Sequence, residues 1–309
     1  MDEQRTRGEL LLIDANSIIH RAYHSLPPLT GPGGSPTGAL YGLASILIKL
    51  LKDGAPRYVA AAFDRPEPTF REQKFREYKA LRPPTPTDLI SQLQESKNLI
   101  AHFGIKILES PGYEADDIIS TLVEKFSDQV DQTTILSGDL DTLQSVRGKR
   151  IVAEVPRRGI SETIVYDEQG VEGRFGVAPN LIPDYKGLVG DKSDNIPGVS
   201  GIGPKTAASL IKKYGPIEQI YRRVDSIKRG SPGLAAKLEQ GREMAFLSKE
   251  LATTSRDAPC PAALGELKTE LDLGGVQLRR YLENLGFKTL LQRLESGSGA
   301  RSQRVGKLF

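Results

Sequence analysis

The chain is poor in the side chains that most often carry soft-metal or nucleophilic chemistry. Among 309 residues there is one cysteine, Cys260, there are three histidines, and there is no tryptophan. A lone cysteine excludes an internal disulfide and argues against a cysteine-based zinc site. His20, His24 and His102 are too few for a histidine-rich metal site, and ordinary packing or surface roles are expected of all three. No apolar run approaches the ~20 residues that cross a bilayer. The opening MDEQRTRGELLLID lacks a signal-peptide pattern, because its short apolar stretch runs straight into an aspartate. A cytoplasmic protein with no membrane partner is expected. The 38% hydrophobic and 26% charged content suits a folded chain rather than a disordered one.

Net charge is only +3, but the charges are unevenly placed. Residues 200–249 hold ten lysines and arginines against four acids. Residues 68–82 hold five basic residues against Glu72 and Glu77. Basic patches around an acidic centre suit a protein that grips phosphates and also holds cations.

In the first half, LLLID, RYVAAAF, IKIL and TTIL read as strands buried on both faces. Helical patterns alternate with them: GALYGLASILIKLLK behind Thr37, DLISQLQESKNLIAHF from Thr87 or Asp88, and EADDIISTLVEKF. This alternation predicts a parallel α/β sheet, whose ligands sit beyond the carboxyl ends of the strands. Residues 65–86, bracketed by prolines, break the pattern and are expected to make a mobile excursion over those ends. From about residue 176 helices dominate. The expected organisation is therefore an α/β core over 8–175, a helical DNA-binding subdomain over 176–292, and a flexible tail over 293–309.

Acids stand where such a sheet forms its site. Asp14 and Asp64 end strands, Glu114, Asp116 and Asp117 open a helix, Asp139 and Asp141 follow a strand, and Asp191 and Asp194 lie in VGDKSDN. Singly each has an ordinary explanation: a helix N-cap, an acid favoured by a helix dipole, or a Gly-Asp turn. Those explanations do not account for successive strands all ending in acids. Nine crowded carboxylates repel unless cations neutralise them, and oxygen-only ligands favour Mg²⁺ or Mn²⁺, two or more ions, for phosphoryl chemistry.

GIGPKTA precedes a helix, and Gly201 and Gly203 let its amides face a phosphate, with Lys205 and Thr206 beside them. Pro204 interrupts any Walker-type loop, so the pattern is that of a helix-hairpin-helix. In the 65–86 stretch, Arg71, Lys79 and Arg82 could meet phosphates and Tyr78 could stack on a base.

Taken together, LLIDANSIIHRAYH, SPTGALYG, FD at 63–64, TFREQKFREYKALRPPTP, PGYEADDI, GDLDTLQ and GDKSDNIPGVSGIGPKTA resemble the 5′-nuclease domain of bacterial DNA polymerase I, a relative of the flap endonucleases. The resemblance spans about Leu10 to Leu291. It implies a PIN-like nuclease core with a helical arch over 65–86 and a helix-hairpin-helix subdomain. It implies a monomer that cleaves DNA with 5′ flaps, nicks or branches in the bacterial nucleoid, and it allows a monovalent cation at the hairpin. By matching motif positions, Asp14, Asp64, Glu114 and Asp116 would serve one metal site and Asp139, Asp141 and Asp191 another. Asp117 and Asp194 would be ligands or outer supports. Lys79 and Arg82 would steer the scissile phosphate, with Tyr78 stacking there and Arg21 a further basic residue of the site.

Two departures stand out: Ala15 replaces the family's frequent glycine, and Leu140 replaces a lysine between paired acids. The end, from Gln303 to Leu308-Phe309, loosely resembles peptides that dock on sliding clamps, though a simple linker explains it as well. Two rivals remain at this point. ILSGDLDT resembles the nucleophile loop of haloacid-dehalogenase-like phosphatases, but it comes mid-chain and leaves Asp14, Asp64 and GIGPKTA unexplained. A catalytically inactive DNA-binding scaffold should have lost some of the nine acids.

Overall fold

The computed structural model describes residues 8–52, 56–158, 162–269 and 275–295. The clamp-like ending therefore lies outside the described residues. Six strands form one sheet: β1 (Glu9–Asp14), β2 (Tyr58–Ala62), β3 (Lys106–Leu108), β4 (Gln132–Leu136), β5 (Ile151–Arg158) and β6 (Glu162–Tyr166). Their order is β3-β2-β1-β4-β5-β6. The first five run parallel, and β6 returns antiparallel to β5 at the edge. That edge hairpin was not expected from the sequence.

The central strand shows why an unbroken apolar run marks a sheet covered on both sides. Leu11 and Ile13 join Val59 and Ala61 in one apolar cluster, beneath α1 (Ala15–Ser25), α2 (Gly38–Lys52) and α4 (Thr87–His102). Leu10 and Leu12 join Ala60 and Ala62 in the opposite cluster, against α5 (Ala115–Phe126). Alternate residues face opposite layers, as the two-residue strand period requires.

The 65–86 stretch is not the free excursion expected. It holds one short helix, α3 (Phe70–Lys74), started by a capping box between Thr69 and Glu72. Its inner side is packed: Phe75 and Tyr78 join Ile196, Leu247 and Leu251 in a small apolar cluster.

Beyond β6 come α6 (Glu168–Phe175), α7 (Ile182–Val189), α8 (Pro204–Tyr214), α9 (Ile217–Arg222), α10 (Val224–Gly230), α11 (Pro232–Gln240) and α12 (Arg242–Ala252). They share an apolar cluster running from Val177 to Ala245. The last helices, α13 (Val276–Asn284) and α14 (Lys288–Glu295), do not extend that layer. Leu278, Leu282, Phe287 and Leu290 sit in the sheet-side cluster with α2 and α4. The expectation that all of 176–292 forms one helical subdomain is corrected to that extent. Among the described residues no helix is long and apolar enough to cross a membrane.

Candidate active site

Parallel strands all end on the same side of a sheet, so residues just past them meet. Asp14 is the last residue of β1 and Asp64 lies two past β2. Glu114 caps α5 after β3, and Asp139 follows β4. The loop after α7 adds Asp191 and Asp194. All of these, with Asp116 and Asp141, line one open cleft of about 1120 Å³. Eight carboxylates and five basic side chains, Arg21, Lys79, Arg82, Lys186 and Lys192, line it together.

Local hydrogen bonds fix the floor. Asp14 caps α1 by accepting from the Ser17 amide at 3.1 Å, and its other oxygen accepts from Ser137 Oγ at 2.7 Å. The Gly138 amide donates to Ser17 Oγ at 2.9 Å, which stitches the ends of β1 and β4 together. Asp64 accepts from the Ala115 amide at 2.8 Å, and its own amide donates to Asn16 Oδ1 at 3.1 Å. Asp139 accepts from the Asp141 amide at 2.9 Å. Ser137 and Asn16 carry no charge and belong to no acidic pattern, so sequence reasoning missed them.

Basic groups stand between the acids. Lys79 Nζ lies 2.7 Å from Glu114 Oε1, and Arg82 Nη2 lies 2.7 Å from Asp194 Oδ1. Lys186, which the sequence reading also missed, contacts Asp141 and lies 2.5 Å from Asp191. Its one legible signal is position: it sits on α7, five residues before Asp191 and just ahead of the turn at Gly190. His20, half-buried, and His24, exposed, also line the cleft, so the surface role expected of them lies at the site itself. Burial holds the His20 imidazole below its ordinary pKa, helped by His24 and Arg82. His102, by contrast, stacks on Tyr281 at 4.1 Å.

Burial lifts the carboxyls of Asp14, Asp64, Asp116 and Asp139 above the usual range, with neighbouring acids adding to it. Burial likewise lifts Asp141, to about 7, against the pull of Lys186. Asp191 goes the other way: burial opposes its charge, but Lys186 and Ser193 hold it below the usual range. Lys186 is also buried, yet Asp141 and Asp191 keep it charged and raise its pKa. Among the described residues, no three acids, histidines or cysteines draw together closely enough to cage an ion as they stand. The donor set nevertheless suits a hard cation. Asp116 Oδ1 is buried with no hydrogen-bond partner, and the raised acids around it lack sufficient positive charge.

Arg71 and Tyr78 are placed differently from expectation, and Asp117, expected as a ligand or an outer support, lies away from the cleft. Arg71 is 1% exposed and cannot meet DNA, because its guanidinium is enclosed against Asp117 and Glu114. Tyr78 is 4% exposed and cannot stack on a base, since its hydroxyl donates into Glu114 and Asp194 at 3.1 Å. Asp117 is fully buried outside the cleft, and both its oxygens accept from Arg71. Arg21 lines the cleft, donating to the Arg157 carbonyl at 2.7 Å.

The loop that carries Asp191 and Asp194 depends on two glycines. Gly190 and Gly198 have φ of +79° and +65°, and their backbones touch: a Cβ on Gly198 would lie 2.3 Å from the Gly190 nitrogen. Gly198→Ala should therefore cost about 2–3 kcal/mol and lower the melting temperature by several degrees. Gly203→Ala, where a Cβ meets nothing within 4 Å, should leave it nearly unchanged. Equal melting temperatures for the two variants would refute the close-contact account of this loop.

At the cleft's edge lies the glycine turn. Gly201 has φ of +75°, and Gly203 is extended at the start of α8, whose first turn has no side-chain cap. Lys205 is exposed and Thr206 half-buried. Pro204 lines the cleft itself, so this turn and the acids face one continuous surface.

Known proteins resemble this chain over most of its length. Residues 9–176 match the family of the 5′-3′ exonuclease N-terminal resolvase-like domain, and residues 177–272 match the 5′-3′ exonuclease C-terminal SAM fold. A 5′-3′ exonuclease of Aquifex aeolicus is 38% identical over 96% of this chain and 98% of its own. DNA polymerase I of Caldicellulosiruptor bescii is 41% identical over 93% of this chain and 33% of its own, so the chain spans about a third of that relative's length. Among solved structures, bacteriophage T5 5′-exonuclease with bound zinc superposes with a TM-score of 0.66 at 21% identity, covering 79% of this chain and 89% of that one. A flap endonuclease of the same phage, in complex with DNA and metal ions, superposes with a TM-score of 0.65 at 18% identity, covering 93% and 97%.

Proposed function

Since the chain belongs to the 5′-3′ exonuclease family, we propose that it is a structure-specific nuclease that hydrolyses DNA phosphodiesters at 5′ flaps, nicks and branches. The observation that carries this reading is one cleft in which eight carboxylates, from the strand ends, the start of α5 and the loop after α7, meet Lys79, Arg82 and the edge of the glycine turn. A haloacid-dehalogenase-like phosphatase would leave most of those acids and the turn without a role.

In this reading the bound ions are Mg²⁺ or Mn²⁺. Asp14, Asp64, Glu114 and Asp116 would hold one, and Asp139, Asp141 and Asp191 would hold another. Held by these residues, the ions would supply Lewis-acid chemistry, the activation of water and the neutralising of charge on a leaving oxygen. The chain's own residues do the remaining work. Lys79 and Arg82, poised between Glu114 and Asp194, can turn to the scissile phosphate and offset the charge it develops. Lys186 keeps Asp191 ionised and fixes its direction. Arg21 adds positive charge on the α1 side. Gly201, Gly203, Lys205 and Thr206 present backbone amides and a cation to the duplex backbone, away from the reacting bond.

The test is incubation with a 5′-flap DNA and Mg²⁺, with EDTA and intact duplex as controls. The proposal expects cutting near the flap base, none with EDTA and little on duplex. Release of inorganic phosphate from simple monoesters without DNA cutting would overturn it in favour of a phosphatase.

Stability gives a second readout. The raised carboxyls bind protons in the folded state at pH values where the unfolded chain, with aspartates near 3.9, has lost them. This cluster's contribution to stability therefore falls as pH rises from about 4 towards 7. Mg²⁺ should offset the repulsion, so the rise in melting temperature on adding it should be larger at pH 7.5 than at pH 5.5. An equal rise at both would show that these acids do not take up the ion.

A further inference from the structure

Arg71 and Asp117 are a buried ion pair outside the cleft, and every polar atom of the pair is engaged. Arg71 Nη1 and Nη2 donate to the two Asp117 oxygens at 2.7 and 2.8 Å. Nε donates to the Leu251 carbonyl at 2.8 Å, and Nη2 also to the Thr253 carbonyl at 3.0 Å. Nη1 reaches Glu114 Oε2 at 3.3 Å. Asp117 additionally accepts from the Glu114 amide at 3.0 Å and the Ser255 amide at 2.7 Å.

Fold stability alone does not call for such a pair, because a well-packed apolar pair is often as stable or more so. What distinguishes it is the set of segments it joins. Arg71 roots the stretch that carries Tyr78 and Lys79. Asp117 lies in the turn that presents Glu114 and Asp116. The Leu251 and Thr253 carbonyls end α12, which packs along α7, the helix of Lys186. Glu114 is gripped twice, through its amide by Asp117 and through its carboxylate by Arg71.

We propose that Arg71 and Asp117 form a positioning strut that sets Glu114 and Asp116 towards the cleft, and that Asp117 serves Arg71 instead of binding a cation. This rests on the cation-dependent reading given above. The strut has a charge consequence as well as a geometric one. The guanidinium lowers the pull of Glu114 and Asp116 on a cation, and the Asp117 carboxylate cancels that effect. Removing either charge alone therefore shifts cation affinity in opposite directions, and removing both restores it. Geometry is separable, because a lysine at 71 keeps the charge but cannot form the two-toothed contact.

The test is Mn²⁺ binding to the full chain without DNA, followed by electron paramagnetic resonance, beside single-turnover flap cleavage and circular dichroism. Asp117→Asn should weaken Mn²⁺ binding about tenfold, and Arg71→Met should tighten it. The double variant should return to within about threefold of the parent in Mn²⁺ affinity, where the two charges cancel, and stay about tenfold or more below it in cleavage rate, because the strut is gone. Arg71→Lys should keep the parent's Mn²⁺ affinity and lose about tenfold or more in cleavage rate. A loss from Asp117→Asn that persists undiminished in the double variant would make Asp117 a direct ligand and overturn the proposal. Parent-like cleavage by Arg71→Lys would overturn it too, and that variant decides alone if the methionine proteins do not fold. Failure of the parent itself to bind Mn²⁺ would instead overturn the cation reading on which the strut depends.

Discussion

Asp14→Asn should lower single-turnover flap cleavage by about a thousandfold while the protein stays folded and still binds flap DNA. The substitution separates two roles that one side chain fills. As an N-cap, Asp14 accepts from the Ser17 amide, and asparagine caps about as well. Its second oxygen takes the Ser137 hydroxyl, which can rotate to accept from an amide instead. What the variant loses is charge, in a position where burial and Asp64 already disfavour it. Relief of that repulsion should hold the melting temperature or raise it slightly. The thousandfold loss corresponds to about 4 kcal/mol of transition-state stabilisation, a reasonable share for one member of a metal-holding set. Near-parental cleavage would remove Asp14 from that set. Loss of folding would show that the residue is principally a cap.

Lys79→Ala should reduce the single-turnover rate about a hundredfold and change DNA affinity by less than about threefold, since a donor aimed at developing charge acts mainly in the transition state. The fold holds Lys79 in a defined place. Its backbone adopts φ of +56°, its amide donates to the Asp194 carbonyl at 2.9 Å, and its ammonium lies against Glu114. Burial opposes the charge, but Glu114 and Asp194 keep it, so the residue is cationic through the working pH range. Lys205→Ala should do the reverse. It should weaken binding, leave the rate at saturating enzyme nearly intact, and flatten the salt dependence of affinity by roughly one unit. Similar rate and affinity losses in both variants would contradict this division between the cleft and the glycine turn.

The sequence was most legible where one physical cause dominates. The strands LLLID and YVAAA are covered on both faces, so they read as unbroken apolar runs, and acids at their ends fall together by sheet geometry. The strand IVAEVPRR, next to the edge of the sheet, was not legible. It carries Glu154 and Pro156, and its pairing with β6 depends on partners supplied by the fold, including the 2.7 Å bond from Thr163 to Glu154. Charge was the least reliable guide. Arg71 lies in a basic, proline-bracketed stretch that suggests a surface, yet its partners Asp117, Leu251 and Thr253 are far away in sequence and enclose it. Lys186 was hidden for a related reason: on a short apolar helix a single lysine suggests the solvent face, and only the approach of Asp141 from another segment gives it a partner. Position in a motif told which acids stand close to the cleft, and three-dimensional packing told that Asp117 does not face it.

Anomalous diffraction from crystals soaked in Mn²⁺ tests the central claim most directly. The account predicts manganese peaks inside the cleft, one ligated from among Asp14, Asp64, Glu114 and Asp116 and one from among Asp139, Asp141 and Asp191, with Lys186 displaced from at least one acid and Asp117 still paired to Arg71. A cleft that stays free of manganese at millimolar concentration, with Lys79 and Lys186 unmoved, would contradict it.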